Sequence, residues 1–215
     1  QKSGQNVFFD FFVNTPGLGR ENDSFDPDFF AITVDFSGSL QDFNIGSASV
    51  AVPGTLKGLL HIHKKLGWMD LRDVVHPAKT LASNHLLNEQ QGHFLNLLYP
   101  IMTLDDRGRE IYQPDGNFLK AGDELINRST EDFIDRLVLE GDDCFYRGEI
   151  ATRIEREMLE RGGLLTAKDL AAYQVIERKP LGISYKGYEF LTASEPSMGG
   201  TLIALSLLLR QRQGP

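Results

Sequence analysis

Residues suited to chemistry are few and scattered. The run Pro196-Ser197-Met198-Gly199-Gly200 opens a helix, and a turn of this kind presents backbone N–H groups and a hydroxyl to an anion or a developing oxyanion. The same run also suits a plain N-cap at a tight strand-to-helix turn, which is the better reading from these residues alone. Asp105-Asp106 has no further carboxylates at metal-loop spacing, so a solvated turn fits it better. His61 and His63 stand two apart; on a helix their side chains diverge by roughly 200° and cannot chelate one metal together. None of the five histidines has a Cys or carboxylate at zinc-ligand spacing, and no metal or cofactor is expected. The single cysteine, Cys144, excludes an intramolecular disulfide, and Asp142 and Asp143 beside it raise a thiol pKa rather than lower it. There is no Gly-x-Ser-x-Gly elbow, and Gly17-Leu18-Gly19 lacks the third glycine and the helix of a dinucleotide turn. No complete catalytic set emerges from these residues.

The elements that would position such residues come from a 215-residue chain with 41% hydrophobic and 24% charged residues, ordinary values for a globular protein. A net charge of −8 and the lack of a Lys/Arg stripe argue against a nucleic-acid partner. The apolar run 202–209, broken by Ser206, is too short to span a bilayer. The chain starts at Gln1 without Met and stops just past a helix, so it reads as a fragment of a longer protein.

Residues 6–13, NVFFDFFV, predict a strand buried on both faces and interrupted only by Asp10. Residues 18–43 read as an irregular surface excursion holding one short strand at 29–36. Pro53-Gly54 then turns the chain into a helix over 55–66, whose inner face is Leu56, Leu59, Ile62 and Leu66. Asp70 caps a second helix with Leu71, Val74, Val75, Ala78 and Leu81 inward and a kink at Pro77. Further helices are expected at 88–98, ended by Pro100, and from Ser129 to a stop at Gly141, with Phe133, Ile134, Leu137 and Val138 inward. Residues 149–161 predict a charge-laced helix, and Thr166 with Asp169 caps a short one. Lys186-Gly187 joins two strands, and a last helix from Thr201 turns Leu202, Leu205, Leu208 and Leu209 inward.

Four stretches resemble the large-subunit region of the γ-glutamyltransferase family. They are GSASVAVPGTLKGLLHIHKKLG, LRDVVHPAKTLA, FYRGEIATRIEREMLERGGLLTAKDLAAYQVIERKPL and YKGYEFLTASEPSMGG, in the family's order over residues 46–205. The resemblance implies an α+β chain: the helix-rich central part of an N-terminal-nucleophile hydrolase with an αββα sandwich, and strands near both ends. Residues 1–215 then form a single partial domain, with a strand and irregular loop at 1–45, a helical lobe at 46–174, and strands and a helix at 175–215.

It further implies a precursor that cleaves itself and frees a threonine beyond Pro215, whose own amine activates its hydroxyl. The acyl-enzyme then passes a γ-glutamyl group to water or an amine. Partners are a small-molecule or peptide γ-glutamyl substrate and the small subunit of the same precursor. No catalytic residue lies in this chain, which alone should be inert, and the family's oxyanion glycines also lie beyond it. Ser197, Gly199 and Gly200 remain as a candidate cleft turn. At Phe12 the family has an arginine that binds the substrate's α-carboxylate, so an altered acyl donor is expected, with Arg20 as the nearby alternative guanidinium. The alternatives are a related amidase or acylase, or a non-catalytic homologue serving as scaffold or binding module.

Overall fold

The computed structural model describes residues 4, 6–20 and 26–212. The fold is α+β. Strand β1 (Phe8–Asp10) pairs antiparallel with β6 (Ile176–Arg178), Phe9 opposite Glu177. Strand β2 (Phe30–Asp35) forms a hairpin with β3 (Leu40–Ile45). Helix α1 (Thr55–Leu66) leads to α2 (Leu71–Ser83), and the two-residue β4 (His85–Leu86) later meets β5 (Glu124–Leu125). Between those strands lie α3 (Glu89–Leu97), α4 (Tyr99–Met102) and α5 (Asp106–Tyr112). Helices α6 (Arg128–Glu140), α7 (Asp143–Tyr146), α8 (Glu149–Glu160) and α9 (Ala167–Ala172) follow. The hairpin of β7 (Leu181–Tyr185) and β8 (Tyr188–Thr192) then carries α10 (Met198–Arg212).

Local chemistry explains most boundaries. Asp70 accepts the Arg72 amide to start α2, Asn88 and Gln91 form a reciprocal capping box on α3, and Gly141 ends α6 with a φ of 72°. Lys186 and Gly187, both at positive φ, make the tight β7–β8 turn. Ser37 and Gly38 do the same between β2 and β3, where the Gly38 amide donates to the Asp35 carboxylate at 2.6 Å. The expected surface excursion is therefore half hairpin, with Ser-Gly as its turn signal. Asp105 caps α5 through the Gly108 amide and Asp106 pairs with Arg109 at 2.6 Å, so this acidic pair starts a helix rather than marking a turn. Pro100 sits in the first turn of α4 instead of ending the chain's helical course.

The core gathers Val52, Tyr146, Ala151, Leu165, Leu170 and Tyr173, with Leu56, Ile154 and Met158 packed against it. Several expected inner faces lie outside it. Leu59, Leu66, Val74 and Leu81 are exposed, as are Leu202, Leu205, Leu208 and Leu209. In α1 the buried position is Gly58, which the Phe11 ring covers so closely that a Cβ would lie 2.1 Å from it. Helix α10 is apolar around much of its girth and meets the β7–β8 hairpin through its small residues Gly200 and Ala204. The expected strand at 6–13 is only three residues long, and its buried residue is Asp10 rather than a phenylalanine.

Candidate active site

A groove of ≈ 780 Å³ opens where β1 passes the β8–α10 turn. It is lined by every residue of 8–13, by Thr55 at the start of α1, and by Ala193, Pro196, Ser197 and Met198. Phe12 and Ser197, 185 positions apart in the chain, thus share one cavity. Gly199 and Gly200 do not line it. Gly200 is buried because a Cβ there would lie 2.0 Å from the Ala193 carbonyl oxygen, which makes it a close-packing residue. Ser197 Oγ accepts the Gly200 amide at 3.4 Å, a long helix-start contact.

The groove is chiefly aromatic and aliphatic. Phe12 is 73% exposed within it, and none of the described lining residues is cationic. Asp10, the one lining carboxylate, is already engaged: it accepts Arg178 Nε at 2.7 Å and the Phe12 amide at 3.2 Å. Arg20 does not line the groove; its guanidinium donates to the Gly163 carbonyl.

The strand-side lining is held from behind by two tyrosines. Tyr173, directly after α9, donates its hydroxyl to the Phe12 carbonyl at 2.7 Å. Tyr146, fully buried, donates to the Pro53 carbonyl at 2.8 Å and accepts the Lys57 amide at 3.2 Å. Gly54 precedes α1 and has no side chain with which to cap it, so the Tyr146 hydroxyl, arriving from α7, satisfies one of the orphan amides of that first turn. Burial, then the neighbouring Tyr146 and the Asp10 charge, push the Tyr173 hydroxyl up to about 12, and burial likewise raises Tyr146. Both are neutral donors at physiological pH.

Asp169 completes the support. It is 2% exposed and accepts the Gly17 and Leu18 amides at 2.9 Å each, besides those of its own capping box with Thr166. Burial works to raise its carboxyl, but the donated amides of Gly17, Leu18 and Thr166 outweigh it and hold the group below its ordinary range. The capping box was legible in the sequence; its second set of partners, about 150 residues away, was not. Asp10 did carry a signal, as the lone charge in an apolar run. Cys144 is buried in α7, and burial first and the Glu140 charge second raise its thiol, which disfavours the thiolate. His61 bonds Glu177 and His63 the Met69 carbonyl, each at 2.9 Å.

The α+β frame that carries this groove is the fold of solved γ-glutamyltranspeptidases. The structure of Helicobacter pylori gamma-glutamyltranspeptidase superposes with a TM-score of 0.78 at 27% identity, over 94% of this chain and 57% of that one. The family model for gamma-glutamyltranspeptidase matches residues 16–213, and the chain belongs to that family. The glutathione hydrolase proenzyme of Escherichia coli is 35% identical over 150 residues, covering 69% of this chain and 26% of that protein. An acylase ACY 1 proenzyme from a Pseudomonas species is 29% identical over 171 residues, 76% of this chain and 29% of its own length. The chain thus spans little more than a quarter of the curated relatives it matches. A cephalosporin acylase from Bacillus halodurans shares the fold, with a TM-score of 0.62 at 23% identity over 76% of this chain and 36% of that one.

Proposed function

We propose that this chain is the acyl-site portion of an enzyme that transfers or hydrolyses γ-glutamyl or related acyl amides. The chemistry runs through an acyl-enzyme on an N-terminal threonine supplied from outside residues 1–215. The observation that carries the reading is the family match across residues 16–213. In it the small subunit of the same precursor supplies the nucleophile, and this chain supplies the wall that orients the acyl group. Ser197 lines the groove at the β8–α10 turn, and in this reading its hydroxyl serves the acyl group.

A second reading concerns the donor. In it Phe12 stands where the resemblance implies the family's carboxylate-binding arginine, in a groove without a cationic lining residue among those described. A desolvated guanidinium–carboxylate pair contributes about 2–5 kcal/mol, and a phenyl ring contributes none of it. The preferred acyl group therefore lacks an α-carboxylate, in keeping with the acylase relative.

The test uses the uncut protein. Purified and analysed by denaturing gel and intact mass, it should separate into two chains meeting at a threonine. A single uncleaved chain, stable for days and inactive on every donor, would leave the non-catalytic homologue as the reading. On a donor panel, anilides without an α-carboxylate should be cleaved faster than the γ-glutamyl anilide. Phe12→Arg should raise kcat/KM for the latter at least about tenfold. Ordinary γ-glutamyl activity with no gain from that substitution would refute the altered donor and leave the reaction class standing.

A further inference from the structure

The groove's position depends on residues that never touch it. We propose that Tyr173 and Asp169 are positioning residues: a two-point clasp from α9 that sets where residue 12 stands in the acyl groove. The inference rests on the acyl-transfer reading only for its kinetic consequence.

Asp169 and Tyr173 stand four residues apart, one helical turn, at the two ends of a single grip. Tyr173 holds the Phe12 carbonyl at 2.7 Å, and Asp169 holds the Gly17 and Leu18 amides at 2.9 Å. Thr166 Oγ1 lies 2.9 Å from the Leu18 carbonyl and 2.8 Å from Asp169 Oδ2, and its single proton is shared between these two acceptors. Among the described residues, 12–18 have one ladder bridge, Asn14 with Val52, and the bonds to α9 hold the segment on either side of it. Tyr146 stacks on Tyr173 with centroids 6.0 Å apart and fixes the Pro53 carbonyl, two residues before Thr55 of the same groove. At Gly54 a Cβ would lie 2.0 Å from the Tyr173 hydroxyl, so the glycine is what lets that hydroxyl reach its partner. A substrate-contacting segment held by buried hydrogen bonds presents one defined surface to the acyl group, and such a clasp gives the groove its definition.

In the full-length protein, Tyr173→Phe removes one hydrogen bond while keeping the ring. Its expected effect is a donor KM raised about three- to tenfold, with kcat changed less than about twofold, and an altered kcat/KM ratio between two donors differing in acyl group. Amide exchange over residues 11–20 should accelerate, and Asp169→Asn should accelerate it chiefly at Gly17 and Leu18. Leu137→Ala, in the core of α6 away from the groove, is the control for simple destabilisation and should leave the donor ratio and this exchange near native. The clasp is overturned if Tyr173→Phe leaves KM, donor ratio and exchange unchanged, or if Leu137→Ala reproduces all three. Should the native protein process no amide at all, the proposed function falls, and the exchange arm alone decides the clasp.

Discussion

The Tyr146 and Tyr173 rings stack with 25° between their planes, yet their hydroxyls bond different segments, Pro53 in one case and Phe12 in the other. One buried pair thereby ties α7 and the end of α9 to both the approach to α1 and the N-terminal strand. Each hydroxyl gives a backbone carbonyl beside the core a hydrogen-bond donor.

That pair makes stability sensitive to alkali. Tyr173 ionises at about 12 when folded against an ordinary 10.0, so between these values the unfolded chain sheds a proton that the folded one keeps. Its contribution is fully present below pH 10 and is lost as pH rises toward 12. Thermal melts at increasing pH should show the fall, and Tyr173→Phe should blunt it. An identical alkaline limb in the variant would contradict this account.

Acid should act at a different place. Glu157 accepts two bonds from Arg107 and one from Arg153, all at 3.0 Å, and these hold its carboxyl at about 2 against an ordinary 4.5. The contribution is complete above 4.5 and is lost as pH falls toward 2, when the unfolded chain takes up the proton first. Arg107→Ala should therefore flatten the acid limb of a melting-temperature profile while changing the alkaline limb little.

Gly54 and Gly58 lie one helical turn apart at the start of α1, each against a side chain from elsewhere. Gly58→Ala would drive a methyl into the Phe11 ring and should destabilise by about 1–3 kcal/mol, lowering the melting temperature by roughly 2–10 °C. Gly199→Ala, where a Cβ meets nothing within 4 Å, is the matched control and should be close to neutral. Equal losses for the two would refute the close-approach argument.

Taken alone, residues 1–215 should self-associate. Each described strand pairs with a single partner, which leaves sheet edges open, and α10 exposes Leu202, Leu205, Leu208 and Leu209. Gel filtration should place the chain at twice its monomer mass or above. A sharp monomeric peak would overturn the expectation.

Interactions within about four residues were legible in the sequence. Helix α1 begins and ends where its pattern says, Asp70 and Thr166 cap as expected, and Lys186-Gly187 turns its hairpin. Family membership was legible too, because its motifs are runs of such local features in a fixed order. What the sequence could not decide was which surface covers which. Period 3.6 marks Leu59, Leu66, Val74 and Leu81 as one kind of residue, but nothing local says whether a neighbour will cover them, and among the described residues all four stay exposed. The pairing of Asp10 with Arg178, the sharing of one groove by Phe12 and Ser197, and the double duty of Asp169 all join residues more than 150 positions apart. Those contacts are the product of tertiary packing. A buried carboxylate or phenol must find a partner, and only the folded chain determines which groups lie within reach.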